Sequence, residues 1–445
     1  MPKTASAEVN GTWETLEHIS QDQLDALVNL HVRYIEGRLG GRRIFLRNTN
    51  LSGLSLAGQN LRQAQFMGCT MREMNLAKAN FAESALYACD LSGSNLHKAS
   101  FLRADLRGAR IENANLVGAD LGHADLREGA LGGPDGNFIG PQVVNFQGAN
   151  LAGARLAGSM AARADFSDAI LTQANITKAD LRGALLSGAD LSGADIGGAE
   201  LEGADLKAAI MTGIDRAVLE AAHVDVESCG AITDETVGLS VADMDTPLAQ
   251  AVTAHRLWVE TAGAEGRQLD LSGVDMRFLR SLDHEKMTAI RAKGTKFFGM
   301  TLTAVEMQSA VLEDSDFRNC DMSAADLRGS SLRGCNFSHA ILRGMNGTPL
   351  LFGEGAATRR FAPCLFDETV LRYANLTGAM LKNASFRGAD LSYADLREAD
   401  LRAADFTGAI LHETLLDGAQ TEGATFDRAN GLAFRLGALK EQEEV

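Results

Sequence analysis

A chain of 445 residues with 46 glycines and only 6 prolines can form either two or three ordinary domains or one long repeat array. Its formal net charge of −16 argues against general nucleic-acid binding, because contact with phosphates requires a basic surface. No segment approaches the run of about eighteen apolar residues that spans a membrane, and the start of the chain lacks the features of a secretory signal. We therefore expect a cytoplasmic protein that contacts neither nucleic acid directly nor a membrane.

A five-residue period runs through most of the chain and is clearest from Ala384 to Gly408, where the sequence reads ASFRG ADLSY ADLRE ADLRA ADFTG. Each five contains a small residue, a polar residue that is usually Asp or Asn, a large apolar residue that we call the centre, and two further residues. Neither the helical nor the strand period accounts for this pattern. A chain that turns a corner every five residues returns over its own start after about twenty, with the small residue and the centre inside. The pattern therefore predicts a solenoid.

The N-terminal segment, residues 1–41, contains a predicted helix. Ser20 is a suitable N-cap, Gln23 completes a capping box, and an apolar face follows until the helix ends near Gly37. The candidates for a short apolar cap before this helix are Trp13, Leu16 and Ile19. We expect the helix to cover the open end of the solenoid that follows it.

A second segment repeats this design from Thr246 to Gly263. Thr246 is the predicted N-cap and Pro247 fits the first helical turn. LVNLHVRYIEG in the first helix matches AVTAHRLWVETAG in the second, and His31 and His255 occupy matching places. The parallel indicates an internal duplication in which both histidines have the same packing or capping role.

The first array, residues 42–211, has a large apolar centre at nearly every fifth position. The stretch 132–144 breaks the pattern and is interpreted as a loop, although Leu131 and Phe146 are fifteen apart and keep the phase of five. Residues 212–268 form the predicted connector. It contains a short helix at 214–222 and the second capping helix.

The second array, residues 269–430, starts weakly, loses phase near 279–291 and is regular from Phe297 onward, with an interrupting loop at 343–363. Phenylalanines recur at a spacing of twenty in two groups, Phe297, Phe317 and Phe337, and then Phe366, Phe386, Phe406 and Phe426. If both groups form one interior column, the interruption must be a bulge of nine residues. Residues 431–445 form the C-terminal tail, in which 431–439 is a candidate for a cap or for homodimer contacts.

The five-residue motif resembles that of the pentapeptide-repeat family, A(D/N)LXX, which occurs here as ADLRG at Ala325, ANLTG at Ala374 and ADLRE at Ala394. The resemblance implies an all-β solenoid, the right-handed quadrilateral parallel β-helix, here as two tandem arrays that are each preceded by an α-helical cap. It also implies a class of partner, since the best-known members of the family protect DNA gyrase by presenting an acidic rod that resembles duplex DNA.

Residues that would carry chemistry do not converge in the sequence. Five of the six cysteines occupy the small-residue position of the repeat and are expected to be buried thiols, which leaves Cys229 as the one to test for reactivity. The histidines show no metal-ligand spacing, and no serine or cysteine has a neighbouring base. The sequence therefore predicts no enzyme and no catalytic, cofactor or metal site.

The residues just before each centre should point outward, so those on one face form lines along the solenoid. A spacing of twenty predicts one line through Asp105, Asp125, Asn145, Asp165, Leu185 and Asp205. It predicts another through Asp120, Asp180 and Glu200. Stacked like charges repel, which favours a binding role for these acids; alternatively, they bond to backbone donors at the corners. Arg359 and Arg360, in the 343–363 loop, are further candidates for an interaction surface.

Three functional hypotheses follow. The first is a cytoplasmic scaffold or protein-interaction module. The second is protection or regulation of gyrase or another topoisomerase through the acidic first array, where Asp165 to Asp205 have few basic neighbours, whereas arginines accompany the acids of the second array. The third is a small-ligand or nucleotide sensor that uses the loop 343–363.

Overall fold

The computed structural model describes residues 17–132, 138–235, 238–352 and 360–431. It divides into two compact units, Met1–Glu235 and Thr236–Val445, which we call unit 1 and unit 2. Among the described residues, no helix is both long enough and apolar enough to cross a bilayer.

Both units are built from coils of about twenty residues that pair in parallel with the next coil. Asn75 pairs with Asn95, and Asn95 with Asn115, while other residues form three further pairing lines around each coil. The residue before each centre is the one that pairs, and its side chain points outward, whereas the centre itself is buried, as Asn75 and Leu76 show. The structure is thus a repeat β-helix, which confirms the solenoid that the five-residue period predicts.

Most of this pairing involves one residue at a time, so strands of two or more residues are few. Two residues after most centres the backbone turns through the left-handed region, with φ of +69° at Gly93 and +56° at Lys98. Because this conformation is cheapest for glycine, it explains why glycine is frequent at that place in the repeat. A corner every five residues leaves too little extended chain on each side for a long strand.

Unit 1 contains seven strands and three helices among its described residues. In chain order they are β1 (Glu17–His18), α1 (Gln21–Ile35), β2 (Phe45–Arg47), β3 (Thr49–Asn50), β4 (Gln65–Met67), β5 (Ala85–Tyr87), β6 (Gly129–Gly132), β7 (Phe138–Gln142), α2 (Arg216–Ala221) and α3 (Val226–Cys229). β1 pairs in parallel with β3, and β2, β4 and β5 form a parallel sheet in that order. After the last coil, Ile232 pairs with Ile210, and α2 lies where a short helix is predicted.

The interruption of unit 1 is a hairpin and not a simple loop. β6 and β7 pair antiparallel, and the coil resumes with Asn145, which pairs with Arg110. The two residues are thirty-five positions apart, so the insertion adds fifteen residues to a coil of twenty. Fifteen is three repeats, which preserves the phase of five but moves every later repeat by three sides of the coil.

Unit 2 contains β8 (Leu239–Ser240), a 3-10 helix (Val241–Asp243), α4 (Leu248–Glu260), β9 (Val274–Asp275), β10 (Leu350–Phe352) and β11 (Arg360–Ala362). β8 pairs in parallel with β9, and β10 pairs antiparallel with β11. The predicted loss of phase near 279–291 is caused by a single extra residue between Asp275 and Ser281. Pairing continues through it, from Asp275 with Lys296 to Ser281 with Thr301.

The second interruption does not have the predicted length. Ser331 pairs with Leu365, thirty-four positions later, so the coil contains fourteen additional residues and not nine. This pairing places Phe366 over Leu332, whereas Phe337 lies under Leu371. The phenylalanines therefore form two columns on adjacent sides, with ring centroids 4.7–5.0 Å apart within each column and 6.1 Å between Phe337 and Phe366. The prediction of one column was wrong because a spacing of twenty identifies a side only where no insertion intervenes.

The two long helices begin close to where the sequence predicts. Ser20 caps α1 and forms the predicted capping box with Gln23. The predicted N-cap Thr246 was wrong, since Pro247 occupies that position in α4 and provides no side-chain bond. Leu24 and Val28 of α1 pack into the core of unit 1 together with Ile19, and Trp13 and Leu16 lie outside the described residues.

His31 and His255 make the same contacts in the two units. Nδ1 of His31 accepts the N–H of Ile44 at 3.1 Å, and Nε2 donates to the carbonyl of Arg62 at 3.1 Å. Nδ1 of His255 likewise accepts the N–H of Leu269 at 3.1 Å, and Nε2 donates to the carbonyl of Thr288 at 3.0 Å. Both rings are fully buried, and burial lowers the pKa of both. Each histidine therefore joins its helix to the first coil as a neutral imidazole.

Candidate interaction surface

The hairpin insertion rearranges the acidic lines that the sequence predicts. Asp105 pairs with Asp125, which pairs with Met160 and not with Asn145, and this line continues to Asp180 and Glu200. Asp165 and Asp205 lie on a different side, in a line through Arg110, Asn145, Asp165, Leu185 and Asp205. Asp120 lies on a third side and pairs with Arg155. The predicted lines were wrong because the three inserted repeats change the side that each later acid occupies.

Arginines neutralise the line that contains Asp105, Asp125, Asp180 and Glu200. Arg182 donates to Asp180 through Nε and Nη2, both at 2.8 Å, and its Nε lies 3.2 Å from Glu200 on the next coil. Arg107 makes the same contacts with Asp105 and approaches Asp125 at 3.7 Å. The bonds from Arg182 hold the pKa of Asp180 below its usual value. These carboxylates are therefore paired along the coils, which offsets the repulsion between stacked like charges.

The remaining aspartates also have a structural role. Oδ1 of Asp165 accepts the N–H of Ser167 at 2.8 Å, and Oδ1 of Asp205 accepts the N–H of Lys207 at 3.0 Å. The same bond to the residue two positions later recurs around the coils, where it supports the corner. The preference for Asp and Asn before the centre follows from this bond, so an acidic residue at that position does not by itself indicate a binding surface.

The distribution of charge along unit 1 distinguishes one surface from the rest. Residues 1–189 contain eighteen acidic and eighteen basic residues, whereas residues 190–235 contain eleven acidic and only two basic residues. The net charge of unit 1, −9, is therefore concentrated in its last 46 residues, which we call the acidic end. Sequence reasoning missed this feature because it followed the spacing of acids and not the running sum of charge.

The last coil supplies the outward carboxylates of the acidic end. Asp195, Glu200 and Asp205 are exposed, and within the described residues no later coil pairs with them. The chain that follows forms α2 and α3 and then pairs with the last coil through Ile232, which lies opposite Ile210. Arg182 of the preceding coil reaches Glu200, whereas no arginine or lysine among the described residues forms an ion pair with Asp195 or Asp205.

A cavity of about 340 Å³ opens within the acidic end, between α2 and the stretch 233–235. Its apolar lining comes from Ile214, Leu219, Val224 and Val226, and its acidic lining from Asp215, Glu220, Asp225, Asp234 and Glu235. Arg216 is its single basic residue, and it is held by Glu220 at 2.9 Å and Glu235 at 2.6 Å. Such a lining suits a basic side chain with an apolar stem better than it suits an anion.

The remaining candidates do not join this surface. Arg359 lies outside the described residues. Arg360 is the first residue of β11, and only its backbone is described. Cys69, Cys89, Cys320, Cys335 and Cys364 are buried free thiols, as predicted, and burial raises the pKa of Cys335 to about 12. Over the described ranges, no three His, Cys, Asp or Glu side chains converge as metal ligands.

Family models for pentapeptide repeats match most of the repetitive sequence. A model described as a pentapeptide repeat region matches residues 59–138. A second, described as pentapeptide repeats in eight copies, matches residues 144–177, 174–213, 306–344, 364–402, 384–420 and 394–430. Together the two models cover more than half of the chain. Comparison with curated proteins gives no match.

Solved structures of repeat proteins are similar to parts of this chain. Full-length QnrB1, a plasmid-mediated fluoroquinolone resistance protein, is 18% identical over 42% of this chain and 94% of its own, with a TM-score of 0.21. HetL from the cyanobacterium Nostoc sp. strain PCC 7120, which is involved in heterocyst differentiation regulation, is 19% identical over 89% of this chain and 93% of its own, with a TM-score of 0.14. Rfr23 from the cyanobacterium Cyanothece 51142 is 22% identical over 34% of this chain and 95% of its own, with a TM-score of 0.13. At these TM-scores the assignment to a family rests on the sequence models alone.

Proposed function

This chain belongs to the pentapeptide-repeat family, and we propose that it is a non-catalytic, cytoplasmic protein-interaction module that binds a basic partner through the acidic end. The concentration of charge in residues 190–235 carries this proposal. A basic protein surface is attracted to that end over several ångströms of water, and the paired faces of the coils offer no comparable field.

The finer architecture belongs to the same proposal. We propose two tandem right-handed quadrilateral β-helices over residues 42–211 and 269–430, each preceded by an α-helix that covers its open end. Residues 1–41 and 212–268 carry these helices, and 431–445 form a tail that is a candidate for homodimer contacts. The matching bonds of His31 and His255 to the first coils support the capping role of α1 and α4.

The ion pairs weigh against mimicry of duplex DNA along a whole array. Mimicry requires carboxylates that are free to meet a DNA-binding surface, and Asp105, Asp125 and Asp180 are each engaged by an arginine two residues later. Within unit 1, the net negative charge lies in the acidic end. A topoisomerase therefore remains one kind of basic partner, to be tested directly.

The decisive experiment compares two triple variants in capture from a native lysate. Asp195→Asn with Glu200→Gln and Asp205→Asn removes three charges from the acidic end, whereas Asp105→Asn, Asp125→Asn and Asp165→Asn remove three charges elsewhere. Asparagine preserves the turn bonds of the aspartates, and glutamine keeps the length of the Glu200 side chain, so both variants should fold. We expect a stoichiometric partner with the wild type and the second variant, and its loss with the first. Equal recovery by both variants, or no partner for the wild type, contradicts the proposal.

A supercoiling assay tests whether the partner is gyrase. Purified gyrase is assayed with an inhibitor and with increasing amounts of the wild type or of either triple variant. Protection by the wild type that the acidic-end variant lacks identifies gyrase as the partner. An unchanged supercoiling rate excludes gyrase as the partner. The interaction module would then bind a different basic protein.

A further inference from the structure

The cavity of the acidic end has an apolar floor. Leu219 and Ile214 line it and belong to the core of unit 1, with only 2% and 8% of their surfaces exposed. Val224 and Val226 line it as well and are partly buried against the same core. We call these four residues the floor. A side chain that enters the cavity can lay methylene groups on the floor and remove apolar surface from water.

The mouth of the cavity carries two glutamates that share one guanidinium. Nε of Arg216 lies 2.9 Å from Oε1 of Glu220 on α2, and its Nη1 lies 2.6 Å from Oε1 of Glu235 on the other side of the cavity. The three side chains are 59–65% exposed, which places them at the mouth and not on the floor. The two carboxylates are therefore spaced so that a single guanidinium binds both through separate nitrogens.

Arg216 binds the glutamates without filling the cavity. The volume of about 340 Å³ is open with Arg216 in its place. Ion pairs between exposed side chains contribute little, because water screens them and both side chains lose conformational freedom. A second guanidinium whose stem covers the floor can therefore replace Arg216 at the glutamates, since the replacement exchanges one exposed ion pair for another and adds apolar contact.

The arrangement of the acids favours arginine over other cations. Asp215 accepts the N–H of Ala217 at 2.9 Å and Asp234 accepts the N–H of Gly213 at 2.8 Å, so bonds to the backbone fix these two carboxylates in the lining. In the part of the chain that the structure describes, no three acids converge as metal ligands, which disfavours a compact divalent ion. An ammonium group is also a point charge, whereas the guanidinium fork spans two separated carboxylates.

We propose that this cavity is a binding site for one arginine side chain of a partner protein, whose stem covers the floor and whose guanidinium replaces Arg216 between Glu220 and Glu235. The inference rests on the proposed function, because it names the group by which the acidic end recognises a basic partner. Arg216 is then an internal occupant that keeps the two glutamates paired until the partner binds. The surrounding carboxylates attract the incoming cation.

A titration of the full chain with Nα-acetyl-arginine amide tests the site directly. The methyl NMR signals of Leu219, Val224 and Val226 should shift and saturate. The neutral citrulline amide, which has the same shape, should cause no shift, and the lysine amide should bind several-fold more weakly. Glu220→Gln with Glu235→Gln should lower the affinity at least tenfold. Absence of a shift, or equal binding of the citrulline compound, overturns the proposal.

Two arginine variants separate the role of Arg216 from an effect of net charge. Arg216→Ala removes the internal competitor and should raise the affinity for the arginine amide several-fold. Arg182→Ala is the matched control: it also removes a guanidinium that bridges two carboxylates, Asp180 and Glu200, but Arg182 is not among the described residues that line the cavity. It should leave the affinity unchanged. An equal gain in both variants would show that only the net charge matters and would overturn the proposal.

Capture from a native lysate distinguishes this inference from the proposed function. It compares the glutamine pair, Glu220→Gln with Glu235→Gln, and the acidic-end triple variant, Asp195→Asn with Glu200→Gln and Asp205→Asn. Loss of the partner with both variants supports both proposals. A partner that the triple variant loses and the glutamine pair retains overturns the arginine site and leaves the proposed function standing. A partner that only the glutamine pair loses supports the arginine site and contradicts the proposed function.

Discussion

Asp316 and Arg318 form a buried version of a contact that Asp400 and Arg402 make on the surface. Nη2 of Arg318 lies 2.7 Å from Oδ2 of Asp316, and their side chains are only 7% and 8% exposed. Arg402 and Asp400 make the same contact at 2.6 Å with 44% and 20% exposure. In both pairs Oδ1 also accepts the N–H of the arginine, so burial is the main difference between them.

Asp316→Ala should therefore destabilise unit 2 far more than Asp400→Ala does. Removal of Asp316 leaves a buried guanidinium without its carboxylate, which costs about 3–5 kcal/mol, whereas water solvates the exposed Arg402. Denaturant unfolding of the full chain, followed by circular dichroism, measures both losses. Similar losses in the two variants would show that the turn bond, and not burial of the pair, dominates.

Acidification should weaken the attachment of the helices to the coils. The pKa of His31 is below its ordinary value of 6.5, because burial disfavours the charged ring, so the unfolded chain binds the proton more readily. The stabilisation is complete above the unfolded pKa and is lost as pH falls through it toward the lower folded pKa. Thermal unfolding at about pH 7.5 and about pH 5 should show a large difference between wild type and His31→Gln only at the higher pH. A difference that is independent of pH would contradict the neutral histidine.

The hairpin of unit 1 should be removable in units of whole repeats. Deletion of residues 129–143 removes fifteen residues and leaves Asn145 twenty positions after Arg110, which is the normal coil. We expect a folded protein with a nearly unchanged melting temperature. Deletion of Val144 as well shortens the coil by one residue and removes a fully buried side chain, so its melting temperature should fall clearly. Equal tolerance of the two deletions would refute the pairing of Arg110 with Asn145.

Native thiol labelling should modify Cys229 alone. It is partly exposed at the end of α3, whereas the other five cysteines are buried in the small-residue position of the coils. Burial also raises the pKa of Cys320, Cys335 and Cys364, which disfavours the reactive thiolate. Mass spectrometry after maleimide treatment should show one adduct, which is absent from Cys229→Ser and retained in Cys364→Ser. More than one rapid adduct would indicate that the coils open.

The candidate surface could be predicted only in part. The sequence shows that the residues before each centre point outward and that Asp and Asn there support the corners, and the bond from Ser167 to Asp165 agrees with both. It does not show that Arg182 bridges Asp180 and Glu200, because that contact joins residues eighteen apart on successive coils. Charge concentration in residues 190–235 was available from the sequence, but its position at the last coil was not.

The five-residue period and the capping box at Ser20 are local patterns, so the sequence by itself determined the coil, the inward and outward positions and the start of α1. The tertiary structure alone decided which repeats lie above one another. Each insertion leaves the coil as a hairpin, and the number of residues that it withdraws depends on where antiparallel pairing ends, fifteen in unit 1 and fourteen in unit 2. That number sets the side of every later repeat, which is why Asp105 lies in line with Asp180 and not with Asp165, and why Phe366 lies over Leu332.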